Sequence, residues 1–260
     1  MLRPRSRLGS RTQAIHRRRC HMKKEGTVFS RRGFIKRSLT AASSVAILQT
    51  SPALPLADAS AAENPPDPAY EPRYFTAAEW AFVQAAVDRL IPSNEDGPGG
   101  LDLHVPEFID RQMDTDYGHG ARWYLQGPFH PDSDFALGYQ MKYSPRDMYR
   151  VAIAGIDRWC LRQHGQNFAQ LDASTQDHVL GQLEKGGIAL PDMKTNEFFI
   201  QLLANTKEGY FADPMYGGNR GMGAWKMIGF PGARADFMDR VTQYGKVYPL
   251  PPVSIQGEKG

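Results

Sequence analysis

The stretch Phe75-Thr76-Ala77-Ala78-Glu79-Trp80-Ala81-Phe82-Val83-Gln84-Ala85-Ala86-Val87-Asp88-Arg89-Leu90-Ile91-Pro92 decides the fold class. Thr76 and Glu79 form the T-x-x-E pattern of a capping box, and Phe75 and Trp80 stand at the two positions of a hydrophobic staple, so a helix start is doubly specified. Trp80, Val83, Val87, Leu90 and Ile91 then recur on one helical face until Pro92. Proline lacks the backbone donor that another turn needs, and the helix stops there.

The same grammar repeats downstream. After a loop holding Gly97, Pro98, Gly99 and Gly100, Pro106 opens a second helix bearing Phe108, Ile109 and Met113, expected to end near Tyr117 and Gly118. Ser144-Pro145 opens a long third helix whose Tyr149, Ala152, Ile153, Ile156, Trp159 and Cys160 keep helical period to Gly165. Asp172 caps a fourth with Val179, Leu180 and Leu183, closed by Gly186. Thr195 or Asn196 begins a fifth, carrying Phe198, Phe199, Leu202, Leu203 and Thr206 as far as Gly209. No alternating β-branched run of useful length occurs, and no internal repeat. The expectation is a mainly α protein, a single irregular helical domain with long ordered loops rich in glycine and aromatic residues. One such loop is 118–143, where Trp123, Tyr124, Phe129, Phe135, Tyr139 and Tyr143 follow no period. The other is Gly209–Gly232, where glycine supplies seven of 24 positions, interleaved with Tyr210, Phe211, Tyr216, Trp225 and Phe230. Such density marks close backbone approach and positive φ, held by rings. It is no nucleotide loop: no strand precedes it, Gly218, Gly221 and Gly223 reverse the dinucleotide spacing, and the Gly-Lys-Ser/Thr ending of a P-loop is missing.

The 260 residues carry a formal charge of +3, but residues 1–37 hold 13 Lys or Arg against the single acid Glu25. Residues 38–260 have 18 basic and 27 acidic side chains, a balance of −9. The basicity belongs to the leader, and an acidic body offers no face for nucleic acid. Within the leader, Ser30-Arg31-Arg32-Gly33-Phe34-Ile35-Lys36 resembles the twin-arginine export signal, with Arg31 and Arg32 paired and Phe34, Ile35 and Lys36 at the fitting offsets. The apolar run Ser38–Thr50 is too short to span a bilayer and reads as the hydrophobic part of that signal. Ala57 and Ala59 make an A-x-A cleavage pattern. The organisation is a leader over 1–59, with Met22 as an alternative start, a Pro/Ala-rich linker over 60–74, a helical domain over 75–250 and a flexible tail over 251–260.

Chemistry-bearing residues are sparse. Cys20 sits in the leader, so Cys160 is left unpaired in the body. It is either a small buried hydrophobe or, in an oxidising compartment, one half of an interchain bridge. His16, Cys20 and His21 lack the hydrophobic frame that fixes a metal site. Asp114, Asp116 and His119, or Asp132 and Asp134, have the residue types of an acid-base pair but the spacing of solvated surface charge. The histidines of the body (His104, His119, His130, His164, His178) never stand four apart as metal-binding helix pairs do. The expectation is no catalytic site and no metal.

Four segments taken in order carry a resemblance. They are Phe75-Thr76-Ala77-Ala78-Glu79-Trp80 closing on Leu90-Ile91-Pro92; Val105-Pro106-Glu107-Phe108-Ile109-Asp110; Ala121-Arg122-Trp123-Tyr124-Leu125-Gln126-Gly127-Pro128-Phe129; and the glycine stretch. Together behind a twin-arginine signal they resemble the gluconate 2-dehydrogenase subunit 3 (gamma) family. The resemblance implies a non-catalytic, chaperone-like small subunit of an oxidoreductase complex acting on CH–OH groups. Its partners would be a large FAD-binding dehydrogenase subunit, a cytochrome c subunit and the twin-arginine translocase. FAD and haem c would reside in those partners and no cofactor in this chain, which has neither a C-x-x-C-H nor a G-x-G-x-x-G motif. The expected location is the periplasm, tied to the inner membrane through the complex. The expected partner interface comprises Tyr210, Phe211, Tyr216, Gly217, Gly218, Asn219, Trp225 and Lys226, with Arg122 and Trp123. The competing reading is a stand-alone periplasmic module that binds a sugar or cofactor at Tyr216–Asn219 and Trp225-Lys226.

Overall fold

The computed structural model describes residues 70–191 and 193–260. The expected export signal Ser30, Arg31, Arg32, Phe34, Ile35 and Lys36, the expected cleavage residues Ala57 and Ala59, and the expected linker up to residue 69 lie outside the described residues. Among the described residues six α-helices make up the regular structure: α1 (Ala77–Leu90), α2 (Val105–Met113), α3 (Pro145–His164), α4 (Ala173–Glu184), α5 (Thr195–Phe211) and α6 (Gly223–Ile228). Short 3-10 turns join them, and among the described residues only isolated β-bridges occur, so the protein is mainly α.

The helix starts form as the sequence specifies. Thr76 Oγ1 accepts from the Glu79 amide, while Glu79 Oε2 accepts from the Thr76 amide at 2.9 Å, completing the capping box. Ser144 and Asp172 cap α3 and α4 through their side chains, and Gly165 closes α3 in the left-handed region that a Cβ disfavours. Two boundaries differ from expectation. Helix α2 stops at Met113, short of Tyr117, because Asp114 and Gly118 turn their amides back onto the carbonyls of Arg111 and Gln112. Helix α5 runs through Gly209 to Phe211, since Gly209 sits inside the helix where its bare Cα packs on Phe108 and Val105 of α2.

Helices α1 and α5 hold the centre. Each touches the other and also α2, α3 and α4. The buried stripe of α1 is wider than the spacing of Trp80 and Val83 implies, because Phe82 and Ala86 are fully buried beside Val83 and Val87. A chain of rings crosses this core: Phe75 to Tyr149 (5.5 Å), Tyr149 to Phe198 (5.4 Å), Phe198 to Phe82 (6.3 Å) and Phe82 to Phe168 (4.5 Å). Four elements are locked by one run of edge and tilted contacts. Cys160 is fully buried in that core, which favours the small-hydrophobe reading over a bridge to another chain.

The last residues of the expected linker are part of the fold. Asp110 on α2 is completely buried. Its Oδ2 accepts from the Tyr70 hydroxyl (2.8 Å) and the Arg73 amide (2.7 Å). Its Oδ1 accepts from the amides of Tyr74 and Phe75, both at 3.0 Å. Residues 70–74 are thereby fixed ahead of α1. The segment 251–260, expected to be a flexible tail, is likewise docked: Val253 bridges Gly232 and Lys259, Ser254 is buried, and the Ile255 amide donates to Asp213 Oδ2 at 2.7 Å. Its polar composition concealed this, because the contacts that hold it are backbone ones.

Both carboxylate oxygens of Asp110 face two donors each, so neither orientation of an asparagine amide satisfies the set. Asp110→Asn is expected to cost about 3 kcal/mol, the order of several charge-assisted bonds lost or reversed, read as a lower urea midpoint. An unchanged midpoint refutes the role. Burial, with the Asp157 charge adding to it, pushes the Cys160 thiol up to about 11. A thiol pKa raised on folding gives stability that is complete below the unfolded value of roughly 8.5 and is lost as pH climbs through the folded one. Iodoacetamide at pH 8 should therefore label the native protein on the order of 100-fold more slowly than the urea-unfolded chain. Equal rates contradict the buried site.

Candidate partner interface

The glycine stretch folds around the end of α5. A helix terminus leaves carbonyls without intrahelical donors, and side chains from further along the stretch supply them. Trp225 Nε1 donates to the Phe211 carbonyl (2.9 Å), and Asn219 Nδ2 donates to the Ala212 carbonyl (2.9 Å). Asn219 also accepts the Ala224 amide through Oδ1 at 3.0 Å, so one side chain ties the end of α5 to the start of α6. It holds a left-handed backbone, φ 47°, as asparagine tolerates better than most residues. Gly218 lies against the Gly209 backbone, leaving no room for a Cβ. Asp213 starts the turn Pro214–Tyr216 by accepting the Met215 amide at 3.1 Å, besides holding Ile255.

These bonds divide the residues expected to face a partner. Tyr210, Gly218, Asn219 and Trp225 are buried, and their polar groups are spent inside the chain; the Tyr210 hydroxyl, for instance, donates to the Pro98 carbonyl at 2.7 Å. They build the surface without forming it. Phe211, Tyr216 and Lys226 are exposed, and Gly217 is half-buried. Arg122 is exposed too, while Trp123 belongs to a separate ring cluster with Tyr117 (6.4 Å) and Tyr139 (4.7 Å). The stretch is also less loop-like than expected, since α6 buries Ala224 and Trp225 and turns Lys226, Met227 and Ile228 outward. Met227, Ile228, Phe230 and Ile255 are exposed apolar residues that sequence reading missed. A six-residue helix is too short for its period to stand out, and Ile255 arrives only through its backbone bond to Asp213.

A polar cavity of about 380 Å³ opens beside Gly217, lined also by Tyr70, Glu107, Arg111, Gly218 and Arg220. Glu107 meets His104 Nδ1 at 2.6 Å, and the Arg111 guanidinium lies 5.5 Å from the Tyr70 ring centre. Burial, then the hydrogen bond to Asp110, raises the Tyr70 hydroxyl above its ordinary range. It holds its proton at neutral pH.

The acid-base candidates lie at the surface, and three of them meet other groups of the chain. Asp114, Asp116 and His119 are exposed, with His119 against Arg146; Asp132 pairs with Lys194 at 3.2 Å; Asp134 accepts the Ala136 amide at 2.8 Å. Among the described residues no group of three or more His, Cys, Asp or Glu side chains is placed to hold a metal, and no helix is long and apolar enough to cross a membrane.

Replacement separates scaffold from surface. Asn219→Ala should lower stability by about 2 kcal/mol through two orphaned backbone groups. Tyr216→Ala and Lys226→Ala should stay within about 0.5 kcal/mol, as exposed substitutions do. Equal losses for all three in thermal melts would erase the distinction.

Comparison with known proteins agrees with the resemblance carried by the four segments. The sequence profile of the family described as Gluconate 2-dehydrogenase subunit 3 matches residues 77–232, from the first residue of α1 to the glycine that ends the 209–232 stretch. No curated protein and no solved structure matches the chain. A match over more than half of the sequence settles the family: the chain belongs to the gluconate 2-dehydrogenase subunit 3 family and is a subunit of a dehydrogenase complex.

Proposed function

We propose that this chain is the non-catalytic small subunit of a periplasm-facing, FAD-dependent gluconate 2-dehydrogenase-like complex, stabilising the flavoprotein and escorting it through twin-arginine export. The observation that carries the reading is the pairing of the family match over 77–232 with the signal Ser30–Lys36 on the same polypeptide. A subunit bearing that signal gives a partner without one a passage across the membrane as a folded pair. FAD and haem c belong to the large subunit and to the cytochrome c, and the inner membrane is reached through the complex. The site favours a partner over a reactant: the polar groups of Asn219, Trp225 and Asp213 are consumed in holding α5, α6 and the 251–260 segment together, while Phe211, Met227, Ile228 and Phe230 are left outside.

The competing reading, a stand-alone module for a sugar or cofactor, keeps the cavity beside Gly217 but loses Asn219 and Trp225, which serve backbone groups.

Changing Arg31 and Arg32 together to Lys should leave the fold intact and hold both this chain and the flavoprotein in the cytoplasm. Fractionated cells assayed with an artificial electron acceptor should lose most periplasmic dehydrogenase activity. Activity that still reaches the periplasm sinks the escort role. Acceptor turnover by the purified chain alone sinks the non-catalytic one.

A further inference from the structure

Residues 233–252 form a loop closed at its neck and apolar outside. The neck is a pair of backbone bonds, Ala233 amide to Val253 carbonyl (2.7 Å) and Val253 amide to Pro231 carbonyl (3.3 Å), reinforced by Arg234 donating to the Pro251 carbonyl. Gly232 adopts φ 75°, and its Cα faces the Val253 backbone so closely that no side chain fits. Inside the loop Tyr248 is the hub: the Arg234 and Arg240 guanidinium groups each stand 5.4 Å from its ring centre, and Phe237 meets it edge-on at 5.9 Å. The outside carries Met238, Val241, Tyr244, Val247 and Leu250, with Tyr244 89 % and Val247 86 % exposed.

This loop is the extreme of a wider asymmetry. Among the described residues, 13 of the 19 exposed large apolar side chains lie between Phe211 and Ile255. Charge divides the same way: residues 212–260 hold six basic and four acidic residues, net +2, whereas residues 70–211 hold 12 and 20, net −8. An apolar surface concentrated in one part of the chain, in a segment whose net charge is opposite in sign to that of residues 70–211, marks a place that another molecule covers.

We infer that the 233–252 loop is a grip for the FAD-carrying subunit of the complex, inserting Tyr244 and Val247 into an apolar recess edged by carboxylates on that subunit. The inference rests on the small-subunit reading above and goes beyond it by assigning the contact. A protein occupant fits better than a lipid surface because the loop also carries Asp236 and Asp239 beside Met238, and a protein recess offers donors to carboxylates where an anionic bilayer repels them. Membership of a multisubunit family supplies the second chain. The pinned neck and stacked hub hold the loop in one shape before binding, so less conformational freedom is lost on docking.

The test co-expresses the full chain with a tagged FAD-carrying subunit from the same organism and compares wild type with Tyr244→Asp/Val247→Asp. Both side chains lie outside the core, so the thermal midpoint of the free chain should hold. The amount retained on the tagged subunit, read as chain per bound flavin at 450 nm, should fall at least about tenfold, as loss of a central anchor does. If the double variant melts early, the photocrosslinker benzoylphenylalanine at position 244 replaces it, and a covalent adduct to the flavoprotein is required. Wild-type retention of the double variant, or no adduct from position 244 within an intact complex, overturns the grip and leaves the subunit reading standing. No retention of wild type overturns that reading itself. Sedimentation of wild type but not the variant with phosphatidylglycerol vesicles, with flavoprotein retention equal, overturns the protein occupant in favour of lipid.

Discussion

One buried carboxylate organises the start of this domain. Asp110 takes four hydrogen bonds from Tyr70, Arg73, Tyr74 and Phe75, a segment 35 to 40 residues earlier in the chain, and no solvent reaches it. A buried charge is tolerated only when its lone pairs are filled, and here the filling is done by backbone that must lie in a single path. That path sets Phe75 into the ring chain of the core and delivers Thr76 to its place at the head of α1. Arg146 and Arg150 of α3 close over the Tyr74 ring at 4.5 and 4.6 Å, so α2 and α3 grip the same few residues from different directions.

The glycine stretch is organised on the same terms at the other end. Orphan carbonyls at the end of α5 recruit Asn219 and Trp225, glycines at 209 and 218 let two backbones touch, and Asp213 gathers in Ile255. Tyr210, Asn219 and Trp225 turn inward here because unmet backbone groups wait for them. The apolar side chains without polar tips, Met227, Ile228 and Phe230 among them, are left outside. That inverts the usual expectation of polar outside and apolar inside, and it is the physical ground for reading this surface as an interface.

Much of this was legible in the sequence where the signal is local. The capping box at Thr76, the caps at Ser144 and Asp172, and the glycine stops after α3 and α4 depend on neighbours within a few residues, and each formed as written. What escaped depends on distant partners. Nothing near Asp110 announces that it will accept from residue 70, and nothing in the polar run 251–260 announces a backbone bridge to Gly232. Of the residues expected at the candidate interface, Tyr210, Gly218, Asn219 and Trp225 are buried while Phe211, Tyr216 and Lys226 are exposed. Composition identifies rings and glycines, whereas only the hydrogen bonds decide that Trp225 faces in and Ile228 faces out.

The clasp at Asp110 also has a bearing on the order of events in the newly made chain. The amides of residues 73–75 find their acceptor on α2, which is synthesised some 35 residues later and must be helical before its carboxylate is in position. Residues 73–75 are therefore secured only once α2 has formed, by tertiary structure. A chain in which α2 and α3 have failed to pack would leave residues 70–75 without their acceptor and their covering guanidinium groups, so the condition of this short segment reports on the docking of both helices.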